Sequence, residues 1–217
     1  MKVLGLLVVL ALVLSSCMTA PETSTVDRLA FVRAAESLKG HPYESRVEVR
    51  GHRFTLDCVG LLDAAFWKLG YNLEAATVPY RGDAVNRLKA YLKHEGAFFE
   101  KPRPEPGDII FWNNTWDANG DGIWGDDGTT HAGLVVSLAS DGTVTYLHAS
   151  VTRGIALAKL NLVHPTREFS PDGRLWNSPM ALPERGHKNP VHWLSGDLCS
   201  GIADLRVGWR GVPLIGS

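Results

Sequence analysis

Three side chains, Cys58, His131 and His148, are of types that together perform nucleophilic chemistry. Cys58 lies in Phe54-Thr-Leu-Asp-Cys-Val-Gly-Leu-Leu62, where a polar loop gives way to apolar residues at helical spacing (Leu61, Leu62, Ala65, Phe66, Leu69) closed by Gly70. A thiol in the first turn of a helix faces unpaired backbone N–H groups and the positive end of the helix dipole, so a thiolate is expected there. His131 opens Thr130-His-Ala-Gly-Leu-Val-Val-Ser137, and His148 closes Gly142-Thr-Val-Thr-Tyr-Leu-His-Ala149. Asp141-Gly142 between them is a hairpin signal, which puts both histidines at one end of an antiparallel pair. The combination supplies a nucleophile, a base that shares its proton, and a third group that fixes the base's tautomer. Three other uses of Cys58 are open: a small buried hydrophobe, a disulfide to Cys199, or zinc ligation with the two histidines.

The elements that must position these residues are legible in outline. Ser24 and Asp27 form a capping pair for a first helix carrying Leu29, Val32, Ala35 or Glu36, and Leu38, with Gly40 as its stop. Another helix is predicted from Asp83, with Val85, Leu88 and Leu92 on one face, ending at Gly96. Strands follow at Gly107–Trp112, at the two histidine segments and at Ile155–Leu160. Helices first and antiparallel strands afterwards define an α+β domain, with N-terminal helices packed on an antiparallel sheet. From Asn161 the chain is rich in Pro, Gly and Trp, which predicts an irregular wrap with a little helix over 161–217, packed on the same domain. A formal net charge of −1 gives no basic field, so nucleic acid is not an expected partner, and a monomer is expected.

Residues 1–16 read as a signal peptide: Met1-Lys2 is positive, Val3–Leu14 is a short apolar core, and Leu14-Ser15-Ser16 precedes Cys17. Small residues before Cys17 match a bacterial lipoprotein box, in which that cysteine becomes the lipidated N-terminus. An ordinary secretory signal is the competing reading. Residues 17–26 are polar and breaker-rich, a tether.

At this point the chain resembles a family. Asp57-Cys58-Val59-Gly60-Leu61 resembles the Asp-Cys-Ser-Gly-Leu signature of NlpC/P60 cysteine peptidases, relatives of the CHAP amidases. Pro106-Gly-Asp-Ile-Ile-Phe111, Thr130-His-Ala-Gly-Leu-Val135, Leu147-His-Ala-Ser150 with Gly154-Ile155, and Gly40-His-Pro-Tyr43 match further motifs of that family in order. The resemblance spans residues 27–160 and implies a papain-like catalytic domain hydrolysing an amide bond in peptidoglycan stem peptides. It implies Cys58 as nucleophile, His131 as base, His148 as its orienting partner, and Tyr43 and Asp57 along the substrate cleft, with no cofactor for catalysis. Val59 departs from the family serine that helps hold the substrate's amino end. A non-catalytic envelope lipoprotein that binds wall peptide or calcium on the same fold is the alternative, and acyl transfer to another nucleophile is a third. Met18 after the lipidated cysteine lacks the aspartate of inner-membrane lipoproteins. In a Gram-negative envelope this implies the periplasmic face of the outer membrane.

The segment Asp117-Ala-Asn-Gly-Asp-Gly-Ile-Trp-Gly-Asp-Asp127 fits the first half of a calcium loop. Asp117, Asn119, Asp121, the Ile123 carbonyl and Asp126 or Asp127 are the candidate ligands of a structural Ca²⁺ that would brace the His131 strand. Gly128 stands where a regulatory loop has its bidentate Glu. A solvated acidic turn is the competing reading.

Overall fold

The computed structural model describes residues 27–100, 103–181, 192–209 and 211–216. The signal peptide, Cys17, the tether and Ser24 lie outside them. Asp27 opens α1 (Arg28–Glu36) by accepting from the Leu29 and Ala30 N–H groups. Asp57 opens α2 (Cys58–Lys68) and Asp83 opens α4 (Ala84–His94) in the same way, each satisfying donors a helix start leaves unpaired. A short α3 (Leu73–Thr77) lies between them, and α5 (Leu205–Gly208) comes near the end.

A small hairpin, β1 (Arg46–Val49) with β2 (His52–Thr55), leads directly into α2. The main sheet has the order β3-β8-β4-β5-β6-β7, antiparallel throughout. Its strands are β3 (Phe98–Phe99), β4 (Ile109–Asn113), β5 (Thr129–Leu138), β6 (Thr143–Ser150), β7 (Gly154–Asn161) and β8 (Cys199–Ala203). Period-2 alternation splits the buried residues between two faces. Phe111, Ala132, Leu134, Leu147 and Ala149 pack with Leu61, Leu62, Ala65 and Phe66 of α2, while Ile110, Trp112, Val135, Tyr146 and Leu160 fill a second core. The chain is thus α+β, with helices on one face of a six-stranded antiparallel sheet. Among the described residues no helix is long and apolar enough to cross a membrane.

Three elements depart from the sequence expectations. The polar loop expected before Cys58 is the β1–β2 hairpin. Its turn residues Arg50 and Gly51 both have positive φ (50° and 78°), a conformation usually written Asn-Gly, so the Arg conceals the signal. The C-terminal segment is not only an irregular wrap: β8 enters the sheet between β3 and β4. Cys-Ser-Gly-Ile-Ala has little alternation of its own, and the ladder positions on β4 supply what its sequence lacks. Helix α3, five residues long, is too short for periodicity to reveal.

Candidate active site

The start of α2 is built by close approach. Asp57 Oδ1 accepts from Val59 N at 3.0 Å and Gly60 N at 2.7 Å. A Cβ on Gly60 would lie 1.9 Å from the Thr55 carbonyl oxygen, so only glycine lets α2 begin against the end of β2. Val59 is 5% exposed and packs in the core, so position 59 offers no side chain to a substrate.

The Gly40–His41 stretch is laid against the first residues of β7: Gly40 N donates to Ile155 O at 2.9 Å and Ile155 N to His41 O at 2.8 Å. Gly154 allows this approach, with φ +68° and His41 O only 2.2 Å from where a Cβ would sit. Tyr43 is thereby held beside Cys58 and Asp57. Burial, the Glu44 carboxylate and the charges of Cys58 and Asp57 raise its phenol to about 12.

On the sheet, His131 Nε2 and His148 Nδ1 are 3.0 Å apart. The His131 ring centroid lies 5.7 Å from Trp112 and that of His148 lies 5.2 Å from Tyr146, so both rings belong to the second core's side of the sheet. Helix α2 lies on the other face. The β5–β6 ladder runs from Leu138↔Val144 to Leu134↔Leu147, and the histidines lie beyond it. The backbone N–H of Ala132, one residue past His131, points at the Cys58 sulfur, as do those of Val59 and Cys58.

These N–H groups do not produce the thiolate expected from a helix start. Burial, helped by the Asp57 charge, outweighs them and pushes the Cys58 thiol up to about 12. Burial also takes His131 down to about 4, and burial, His131 and Arg153 together hold His148 well below its ordinary range. At neutral pH Cys58 is therefore an uncharged thiol, and His131 and His148 are uncharged imidazoles. The Asp57 cap engages the Val59 and Gly60 N–H groups and leaves Cys58's own N–H outside it. Cys58 and Cys199 are both free thiols, on α2 and β8.

Tyr43 and Asp57 thus lie beside Cys58, His131 meets His148, and the link between the two groups is the Ala132 N–H, one residue past His131, at the Cys58 sulfur. Four of the six calcium candidates accept hydrogen bonds from the loop's own backbone amides. Asp117 accepts from Gly120 N and Gly122 N, Asn119 from Asp121 N, Asp121 from Ile123 N, and Asp127 from Ala118 N and Asn119 N. Among the described residues no three His, Cys, Asp or Glu side chains group to hold a metal ion. In comparisons with known proteins, no family model, no curated protein and no solved structure matches the chain.

Sequence reasoning missed two polar groups near the site. Arg153, in the β6–β7 turn, has its Nη2 3.4 Å from His148 Nε2. Asp63, on α2, has one carboxyl oxygen buried without a partner. Burial, then the Glu74 and Asp57 charges, raise Asp63 to about 8 against the opposing pull of Arg87. The native state holds this acid neutral, whereas the unfolded chain ionises it near pH ~4. Its stabilising contribution is complete below that pH and is lost as pH rises to about 8. Asp63→Asn keeps the neutral form at every pH. Thermal melts should therefore show the variant matching wild type near pH 4 and exceeding it by a growing margin up to pH 8, flat beyond. His131 and His148 act with the opposite sign in both proteins, since their lowered values remove stability as pH falls below ~6.5. They cancel in the comparison.

Proposed function

We propose that this chain is a thiol hydrolase of the NlpC/P60 type, on a papain-like fold, cleaving an amide bond in peptidoglycan stem peptides. The observations that support the reading are the 3.0 Å His131–His148 contact and, one residue past His131, the Ala132 N–H directed at the α2 thiol. Cys58 attacks the amide carbonyl as its proton passes to His131, and the oxyanion takes a hydrogen bond from the Cys58 N–H. His131 then returns that proton to the leaving amine. Water, deprotonated by His131, releases the acid and restores the thiol. His148 orients His131 through Nδ1, and Trp112 and Tyr146 pack around the pair. Tyr43 flanks the nucleophile, while Asp57 acts through the helix cap. The reading is tested with an active ester of a stem-type peptide, whose acylation is fast. Acid quenching should leave Cys58 heavier by the acyl group, and product formation with the label on another residue would overturn it.

Location follows from the N-terminal pattern. We place the enzyme in the bacterial envelope, lipid-anchored through Cys17 at the periplasmic face of the outer membrane. The acidic loop we assign to structural calcium on its sequence pattern alone, with Asp117, Asn119, Asp121 and Asp127 first turning away from the backbone amides they now accept from. An ion bound only by the native state raises the melting temperature. A melt unmoved by millimolar calcium would leave the loop as a turn closed by its own hydrogen bonds.

A further inference from the structure

Arg153 makes the relay directional. It is exposed in the turn between β6 and β7, and its Nη1 donates to the Leu157 carbonyl at 3.3 Å while Nη2 meets His148 Nε2 at 3.4 Å. Among the described residues it forms no ion pair. A guanidinium carries five donors, no acceptor, and keeps its proton at any working pH. The partner nitrogen must therefore be bare, which puts the proton of neutral His148 on Nδ1. That proton points at His131 Nε2 across 3.0 Å, so this nitrogen must be bare too. The proton of neutral His131 is then on Nδ1, its other ring nitrogen.

This tautomer orients the pair against catalysis. With Nε2 accepting from His148, the other nitrogen of His131 must be vacant to take the thiol proton, and here it is occupied. The base-competent arrangement is the reverse: His131 Nε2–H donates to His148 Nδ1, and His148 carries its proton on Nε2. That proton would face the Arg153 guanidinium, donor against donor. Arg153 must leave before His131 can act as base.

We propose that Arg153 recognises a carboxylate of the substrate and, in turning to it, releases the His131–His148 pair into its base-competent tautomer. The proposal rests on the thiol-hydrolase reading and names its substrate class, peptides bearing a free carboxylate near the scissile bond. Both present contacts of Arg153 are long, the one to Leu157 exposed and the one to His148 part-buried, whereas a carboxylate offers the paired, charge-assisted geometry a guanidinium prefers. The proton count is unchanged by the switch. One proton enters His148 Nε2 from water, the shared proton moves from His148 Nδ1 to His131 Nε2, and one leaves His131 Nδ1 to water. Arg153 is thus a recognition and positioning residue, acting on the nucleophile through two rings.

The test uses the full chain and a stem-type peptide prepared with free carboxylates or with the matching carboxamides. Wild type should favour the carboxylate form by about tenfold or more in kcat/KM, chiefly in kcat. Arg153→Met, which keeps the apolar stem, should bring the ratio close to one, and Arg153→Lys should restore part of it. Nitrogen-15 NMR of the histidine rings gives a readout independent of turnover: Nδ1–H on His131 in wild type, moving toward Nε2–H in Arg153→Met. An undiminished carboxylate preference in Arg153→Met, or the same His131 tautomer in both proteins, would overturn the proposal. If wild type cleaves neither peptide, the hydrolase reading fails separately, and the ring spectra alone decide the switch.

Discussion

Cys58→Ala is expected to remove turnover of a soluble stem-type peptide almost completely, by about 10⁵-fold in kcat, with the melting temperature little changed. The magnitude is that of deleting a covalent nucleophile whose partners act as a unit with it. The fold should tolerate the change because Cys58 contributes a small side chain at the edge of the core, still partly exposed, and the helix start is held by Asp57 and Gly60. Steady-state kinetics beside a thermal melt separate the two effects. Turnover retained within tenfold of wild type would remove Cys58 from the chemistry. Lost turnover with a melting temperature lowered by tens of degrees would make the cysteine a packing residue.

The second large effect divides the histidines. His131→Ala should lose about 10⁴-fold, the upper range for removal of a general base. His148→Gln should lose only about 10- to 100-fold, because an amide oxygen can still accept from the imidazole N–H and hold its angle. The 3.0 Å contact through one nitrogen of each ring gives His148 an indirect place, one step behind the base. Equal and complete loss in both variants would indicate two ligands of one metal ion, and activity would then follow added zinc and chelator.

Much of this site is legible in the chain because its parts are local. Asp57 and Gly60 flank the nucleophile within one helical turn, and Asp141-Gly142 sets the hairpin that brings His131 and His148 to one end. Helix starts at Asp27, Asp57 and Asp83 announce themselves through short polar side chains before apolar periodicity. What is not legible depends on distance in sequence or on burial. Strand β8 is recruited by a partner more than eighty residues earlier. Neutral Cys58 and His131 reflect desolvation by the packed sheet and helices, which no local pattern records. Arg153 follows His148 by five residues, yet only the turn into β7 folds its guanidinium back to the ring. The acidic loop shows the converse: its spacing reads as a cation site, while its oxygens accept from the loop's own amides.

The most direct test of the central claim is mass spectrometry of the fragments released from purified, insoluble peptidoglycan. With wild type, new pairs of amino and carboxyl ends inside the stem peptide are expected, absent when Cys58→Ala is used in parallel. Intact stem peptides with wild type, cuts confined to the glycan strands, or the same new ends with Cys58→Ala would contradict a thiol hydrolase of wall peptides.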